Sequence, residues 1–317
     1  MARRRLGKKL FKSLLPILLV VVVAVIVAFA SIVYAITRPP RRPYLVTPQA
    51  FKEISGTALK VSDVTWRNRD GSTARGWLLR GAEGAPAVVF LHKYGADRSW
   101  LFNLGIKLNE ATNFTILWPD LRGHGQNPPV NTTTFGAREA DDALAAFDFL
   151  RTLKSENGNR LTSDRIGVYG VELGAYAAMR ATTEDQRITI LVLDSVPATV
   201  DEMVDSAVRE DVGISNALVL KMARAATRIY FLGRLENGDA CEMARMLRNQ
   251  RVLLLAGNDN TFLRDSTLSV QRCFPNPANV EIKTDLPLTG VTLPSATGEQ
   301  GERYDRPVID FFAKYLQ

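Results

Sequence analysis

The sequence predicts an α/β fold in which a mostly parallel sheet of eight strands is flanked by helices and preceded by one transmembrane helix. Five short apolar runs alternate with helical stretches, a hairpin signal comes before them, and a long uncharged segment lies near the N-terminus. Strands that alternate with helices are typical of a parallel sheet joined by right-handed crossovers.

The uncharged segment is long enough to cross a bilayer. As a helix, residues 14–36 would extend roughly 35 Å, against about 30 Å for the hydrocarbon core. Six basic residues precede the segment and three follow it, which favours a cytoplasmic N-terminus and an extracytoplasmic C-terminal domain. A cleaved signal peptide is the alternative, because Ala28-Phe29-Ala30 resembles a cleavage site, but the apolar run continues beyond it. We predict a basic cytoplasmic tail over residues 1–13 and an uncleaved transmembrane helix over residues 14–37.

The positive charge of the chain is concentrated before the folded domain. Nine of the 40 Lys and Arg residues lie in residues 1–43, which contain no acid, so that 31 basic and 33 acidic residues remain. This balance gives no indication of a nucleic-acid-binding surface. Residues 38–50 are rich in Pro and Arg and are predicted to form a stiff linker. Residues 51–317 are the predicted domain, and a fragment of residues 44–317 is expected to fold without the anchor.

The two cysteines do not decide whether the domain faces an oxidising compartment. Cys241 and Cys273 are the only cysteines in the chain. They would pair if the domain faces an oxidising compartment, and each would otherwise be a small core residue.

The strands and helices follow from the apolar pattern. Asp70-Gly71 is a strong hairpin signal between the first two strands. The eight strands are predicted at residues 59–67, 73–80, 87–92, 114–118, 166–170, 188–193, 252–256 and 280–283. Helices are predicted at residues 138–154 and, closing the chain, at residues 307–316.

A small helical cap is predicted after the sixth strand. Residues 196–247 are more than a simple crossover needs, and they contain helical patches at residues 200–208 and 217–229. Insertions of this kind often cover a pocket.

Four motifs stand at the carboxyl ends of the predicted strands, where open α/β sheets bind ligands. They read FLHKYGADRS, PDLRGHGQN, GVELGA and LLLAGNDN in chain order. In this order and spacing, over residues 59–317, they resemble the α/β-hydrolase family, as a membrane-anchored relative of its serine-aminopeptidase and lipase-like branch.

The resemblance implies a catalytic triad that this sequence does not complete. It places the nucleophile at Glu172, where Gly170 and Gly174 have the spacing of a nucleophile elbow. It places the acid at Asp259, the oxyanion loop at residues 92–95 and the triad histidine near residues 290–293. That last segment reads G-V-T-L, so the histidine is missing.

Neither histidine of the chain replaces the missing histidine of the triad. His92 and His124 are the only two, and the resemblance assigns both positions to loops rather than to proton transfer. Lys93 also replaces the usual glycine of the oxyanion loop. Without Ser and His, acyl transfer by the usual route is not available, and a carboxylate alkylated at Glu172 would stay alkylated.

The neighbours of Glu172 indicate either a plugged site or a binding site. The N-terminus of the following helix favours an ionised carboxylate, and Lys93 or Arg122 is the expected ion-pair partner within about 4 Å. One interpretation is an internal salt bridge in a disused site, and the other is a pocket for a small polar ligand. The residues predicted to bind are His92, Lys93, Tyr94, Arg122 and Asp194.

Three hypotheses of function follow. The leading one is a non-catalytic binding or regulatory domain attached to the membrane by its N-terminal helix. The second is an active hydrolase of ester or peptide bonds that uses Glu172 and Asp259 in an atypical mechanism. The third is a scaffold that acts through the cap helices. No cofactor and no metal site are predicted, because no His and Cys cluster is present.

Overall fold

The structure, a computed structural model, describes residues 2–55, 60–126, 128–232, 235 and 238–317. Its centre is one eight-stranded sheet with the order β1-β2-β4-β3-β5-β6-β7-β8. The strands are β1 Val61–Arg67, β2 Thr73–Leu79, β3 Ala85–Leu91, β4 Thr115–Pro119, β5 Thr162–Val171, β6 Ile190–Asp194, β7 Arg251–Gly257 and β8 Val280–Leu286.

The predicted sheet is confirmed. The second strand is antiparallel to both of its neighbours, and all the other pairs are parallel. The predicted start of the first strand at residue 59 lies outside the described residues.

Helices cover both faces of the sheet, and the described part of the chain forms the following α-helices. These are α1 Ala2–Thr37, α2 Pro48–Ser55, α3 Phe102–Thr112, α4 Glu139–Thr152, α5 Leu173–Glu184, α6 Val200–Ala207, α7 Ala217–Tyr230, α8 Ala240–Met246, α9 Thr261–Gln271 and α10 Gly298–Leu316. Along β4, Leu117 packs into one apolar cluster while Ile116 and Trp118 pack into the other. Successive residues of a strand point to opposite faces, so a strand buried on both sides is apolar throughout.

The last helix begins nine residues earlier than the sequence indicated. Pro307 lies inside α10, although it was predicted to start the helix. Thr297 and Gln300 form a capping box that satisfies the N–H groups of the first turn, so the helix begins at Gly298.

The cap contains one helix more than expected. It consists of α6, a π-helical turn at Val208–Val212, α7 and α8. A disulfide between Cys241 in α8 and Cys273 just after α9 ties the cap to the main domain, with a Cα–Cα distance of 5.2 Å.

The first helix is long and apolar enough to cross a membrane or to serve as a signal sequence, over Leu14–Thr37. Its C-terminal end packs as part of the folded domain. Val33, Ile36 and Thr37 are buried, and the carbonyl oxygen of Thr37 accepts a hydrogen bond of 3.0 Å from the N–H of Thr133. The last two turns of α1 therefore belong to the domain core.

We expect Ile36→Ala in the full chain to lower the free energy of unfolding by about 2–5 kcal/mol, since it leaves a cavity at a fully buried site. Chemical denaturation in detergent measures the loss. Tyr34→Ala is the matched control, because Tyr34 lies in the same helix and is 62% exposed. Equal stability of the two variants would show that α1 does not pack on the domain. A fragment of residues 44–317 lacks Ile36, so its independent folding stays a prediction.

Candidate active site

The turn between β5 and α5 places Glu172 at the carboxyl end of the sheet. Glu172 has φ 49° and ψ −105°, a strained conformation for a residue other than glycine. The flanking glycines let the strand and helix approach closely. A Cβ atom at Gly170 would lie 2.4 Å from the carbonyl oxygen of Gly174, and one at Gly174 would lie 2.3 Å from that of Leu91. The geometry of a nucleophile elbow is therefore kept around a glutamate.

The carboxylate of Glu172 is held by a backbone N–H group. The N–H of Tyr94 donates to Oε2 over 2.9 Å, and the nearby N–H of Leu173 lowers the pKa of the same carboxylate. In α/β-hydrolases the oxyanion hole is made by the N–H of the residue after the nucleophile and by an N–H from the loop after the third strand. Leu173 and Tyr94 hold those two positions. Glu172 therefore occupies the Tyr94 donor of its own oxyanion hole.

Burial dominates the electrostatics of this carboxylate. Glu172 is 5% exposed. Burial raises the pKa of Glu172 above its ordinary value of 4.5, and the charge of Glu210 raises the pKa further. The charge of Lys93 and the two backbone hydrogen bonds act in the opposite direction without cancelling the increase.

The expected ion pair of Glu172 with Lys93 or Arg122 is not formed, and that prediction was wrong. The Nζ atom of Lys93 lies 3.7 Å from Glu210 and 5.2 Å from the ring centre of Trp100. Within the described ranges, no basic side chain comes within 4.0 Å of the Glu172 carboxylate. Backbone N–H groups replace the cation, because the elbow turns the side chain into the oxyanion hole.

The guanidinium group of Arg122 has a different role from the predicted one. Its Nε lies 3.1 Å from Asp142, and its Nη1 lies 3.1 Å from Asp70. Both Arg122 and Asp142 are buried. This network joins the loop after β4 to α4 and to the first hairpin.

Tyr94 connects Glu172 to the cap and to α1. Its hydroxyl lies 2.6 Å from Asp211 in the π-helical turn and 2.8 Å from the carbonyl oxygen of Ile36. Burial and the charge of Asp211 raise the pKa of Tyr94, so the hydroxyl stays protonated. The pKa of Asp211 is raised by burial as well. Tyr94 thus contacts the elbow through its N–H, and it contacts the cap and α1 through its hydroxyl.

Both histidines are neutral and fixed to loops. Nδ1 of His92 lies 2.8 Å from the carbonyl oxygen of Lys93, and its Nε2 accepts a hydrogen bond of 3.1 Å from the N–H of Leu121. Nδ1 of His124 lies 2.8 Å from the carbonyl oxygen of Arg122. Burial lowers the pKa of His92 to about 4 and that of His124 to about 3. Because Nε2 of His92 accepts, the proton of this neutral ring is on Nδ1.

Threonine hydroxyls occupy the place next to Asp259. Its Oδ2 accepts hydrogen bonds from the N–H of Thr289 (3.0 Å), the hydroxyl of Thr289 (2.9 Å) and the hydroxyl of Thr292 (2.6 Å). These residues belong to the loop after β8, where the resemblance placed the histidine. The segment where the resemblance placed the triad histidine contains one hydroxyl residue, Thr292. This residue alone predicts no role for Thr289 or Thr292 beside Asp259.

Asp194 holds the same loop from the other side. Its Oδ2 accepts hydrogen bonds from the N–H of Gly290 (2.6 Å) and from the hydroxyl of Tyr304, and its Oδ1 accepts one from Ser195 (2.7 Å). Burial raises the pKa of Asp194 to about 6. These hydrogen bonds give Asp194 a structural role, because they fix the loop after β8 to the end of β6. Over the part of the chain that the structure describes, no group of three or more His, Cys, Asp or Glu residues could hold a metal ion.

Several solved structures of hydrolases have the same fold. The Pyrococcus furiosus esterase Pf2001 superposes with a TM-score of 0.68 and 20% identity, covering 89% of this chain and 98% of the esterase. The α/β-hydrolase GrgF from Penicillium sp. sh18 has a TM-score of 0.59 and 18% identity, covering 81% and 99%. Dienelactone hydrolase from Anabaena variabilis has a TM-score of 0.54 and 13% identity, covering 82% and 100%. The predicted α/β-hydrolase fold is confirmed.

A curated protein is similar to this chain in sequence. Thiohydrolase aneE of Aspergillus aculeatus is 24% identical over 162 residues, which cover 50% of this chain and 49% of that protein. The match therefore spans about half the length of this curated relative. No protein-family model matches the chain.

We expect Glu172→Gln to gain stability relative to the wild type as the pH rises. Glutamine keeps an oxygen that accepts the N–H of Tyr94 and carries no buried charge. A carboxyl group whose pKa is raised on folding stabilises the protein below its ordinary pKa of 4.5, and this contribution is lost as the pH rises through the raised value. The difference in Tm between variant and wild type should therefore be more positive at about pH 7 than at about pH 4.

Thermal unfolding at both pH values tests this expectation. Glu242→Gln is the control, because Glu242 is exposed, and the increase in the Tm difference with pH should be larger for Glu172→Gln than for this variant. A Glu172→Gln variant that loses stability relative to the wild type at the higher pH would show that a cation stabilises the ionised carboxylate.

Proposed function

We propose that the chain is a membrane-anchored α/β-hydrolase-fold protein that acts by binding or regulation rather than by turnover. The fold and its hydrolase neighbours favour hydrolase activity as a class. The observation against catalysis in this chain is the position of the Glu172 carboxylate, which accepts the Tyr94 N–H of its own oxyanion hole.

Acyl transfer needs a nucleophile, a base that activates it and donors for the oxyanion. At this elbow, the nucleophile position carries an acceptor already hydrogen bonded to the N–H of Tyr94. The position beside Asp259 carries the hydroxyl of Thr292. Removing one oxyanion-hole donor from an active enzyme costs about 10²–10³ in kcat, and here the Tyr94 donor is occupied.

The surroundings of Glu172 support a small polar ligand. Lys93 and Glu210 form a pair at the edge of the buried carboxylate, and the side chain of Glu210 is 49% exposed. A ligand that displaces this pair gains access to Glu172 and to the backbone donors beneath it. A cationic group on the ligand would pair with the carboxylate, and an anionic group would compete with it for the N–H groups.

The domain is proposed to face an oxidising, extracytoplasmic compartment. The basic tail before α1 favours a cytoplasmic N-terminus. The disulfide between Cys241 and Cys273 supports the same orientation, because disulfides persist outside the reducing cytosol.

A second candidate function is hydrolysis with Glu172 as a base. The raised pKa of Glu172 and the strained elbow are typical of catalytic carboxylates. In this mechanism the carboxylate would leave the two N–H groups and take a proton from water, and the freed donors would stabilise the oxyanion.

Hydrolysis assays on the full chain in nanodiscs separate the two functions. We expect no turnover of p-nitrophenyl esters, thioesters, peptides or epoxides, and no labelling at position 172 by a fluorophosphonate probe, because no activated serine is present there. Turnover by the wild type that is abolished in Glu172→Gln would favour the second function.

A rebuilt triad is the positive control for these assays. Glu172→Ser alone frees the oxyanion hole and should stay inactive, since His92 and His124 are both hydrogen bonded to loop carbonyl groups and neither lies in the loop beside Asp259. Adding Thr292→His should raise esterase activity at least about 10²-fold and allow fluorophosphonate labelling, because the Thr292 hydroxyl lies 2.6 Å from Asp259. Thr292→His without the serine should be inactive. Activity in Glu172→Ser alone would reveal a base that this account lacks.

A further inference from the structure

The cap helix α7 carries an apolar stripe that faces away from the domain. Leu218 is 66% exposed, Met222 is 39% exposed and Ile229 is 72% exposed. With Ala225, these residues recur every three or four positions and lie on one face of the helix. The opposite face is buried in the domain through Leu220, Ala223 and Thr227.

This helix is in contact with the membrane-crossing helix. The C-terminal part of α1 packs against α7 and against the π-helical turn. From Leu14 to Val27 the residues of α1 are exposed, whereas Phe29, Ile32, Val33 and Ile36 pack against the domain core. The domain therefore meets α1 before the apolar segment ends.

The position of the outer membrane interface can be read from α1. Tyr34 is 62% exposed, and the guanidinium carbon of Arg38 lies 4.2 Å from the centre of its ring. Aromatic and basic residues at the end of a transmembrane helix are typical of the membrane–water interface. A helix from Leu14 to Tyr34 spans roughly 30 Å, which is the thickness of the hydrocarbon core.

Three of the packed residues of α1, Phe29, Ile32 and Val33, lie on the lipid side of this interface. Phe29 precedes Tyr34 by five residues, or roughly 7.5 Å along a helix. Domain residues that contact α1 at this level reach into the outer leaflet. Interfacial amphipathic helices bury their apolar faces about 5–10 Å into the boundary of headgroups and acyl chains.

We propose that α7 docks on the outer leaflet of the bilayer that α1 crosses, with Leu218, Met222 and Ile229 inserted among the lipids. The inference rests on the proposed anchor. Lys221 borders the stripe and is exposed, and its long side chain can reach the headgroups. Lipid is the occupant because the same helix contacts the anchor in every molecule. The π-helical turn that covers Glu172 leads into α7, so docking holds the cap at the membrane surface.

Tryptophan quenching tests the docking in the full chain, reconstituted in phosphatidylcholine vesicles with brominated acyl chains. The added fluorescence of Ile229→Trp, relative to the wild type, should be quenched at least twofold against vesicles without bromine. Phe262→Trp is the matched control on α9, since Phe262 is an exposed apolar residue at 48%, and it should not be quenched. Val21→Trp, at an exposed position of α1, reports insertion of the anchor.

The outcomes separate the docking from the anchor. Quenching of Val21→Trp without quenching of Ile229→Trp would overturn the docking and leave the anchor in place. No quenching at either position would overturn both. Quenching at Ile229→Trp and Phe262→Trp alike would show adsorption of the whole domain, and would also overturn the proposal. If Ile229→Trp is unquenched but crosslinks to a second copy, the stripe is a protein interface instead.

Discussion

The site depends on one interaction, the hydrogen bond from the N–H of Tyr94 to the carboxylate of Glu172. A serine at this position cannot reach back to this donor, because its side chain is two atoms shorter. A glutamate can reach it, and it keeps the strained elbow while it occupies this donor. The elbow therefore holds a buried carboxylate with a backbone partner.

Tyr94 extends the consequence of that interaction to the rest of the molecule. Its hydroxyl contacts Asp211 in the cap and the carbonyl oxygen of Ile36 in the last turn of α1. A movement of the cap or of α1 would therefore shift the backbone N–H that holds Glu172.

The sheet and the apolar first helix could be predicted from the sequence, but the partners of Glu172 could not. The inner strands are largely buried on both faces and apolar, which located them within a few residues. The edge strands β1 and β8 are partly exposed, and the hairpin signal at Asp70-Gly71 located β1. Charge complementarity suggested Lys93 for Glu172, whereas backbone donors leave no signal in the sequence. The same limit applies to Thr292 beside Asp259. The start of α10 was missed because Pro307 was taken as a first-turn residue, while Thr297 provides the real cap.

Amide NMR of the full chain labelled with ¹⁵N tests the central claim most directly. The account predicts that the amide protons of Tyr94 and Leu173 are both shifted downfield, move together with pH through one transition above the ordinary pKa of a glutamate, and return upfield in Glu172→Ala. Amide protons at ordinary positions that do not respond to pH or to the substitution would contradict it. The carboxylate would then lie outside the oxyanion hole, and the donors would be free for catalysis.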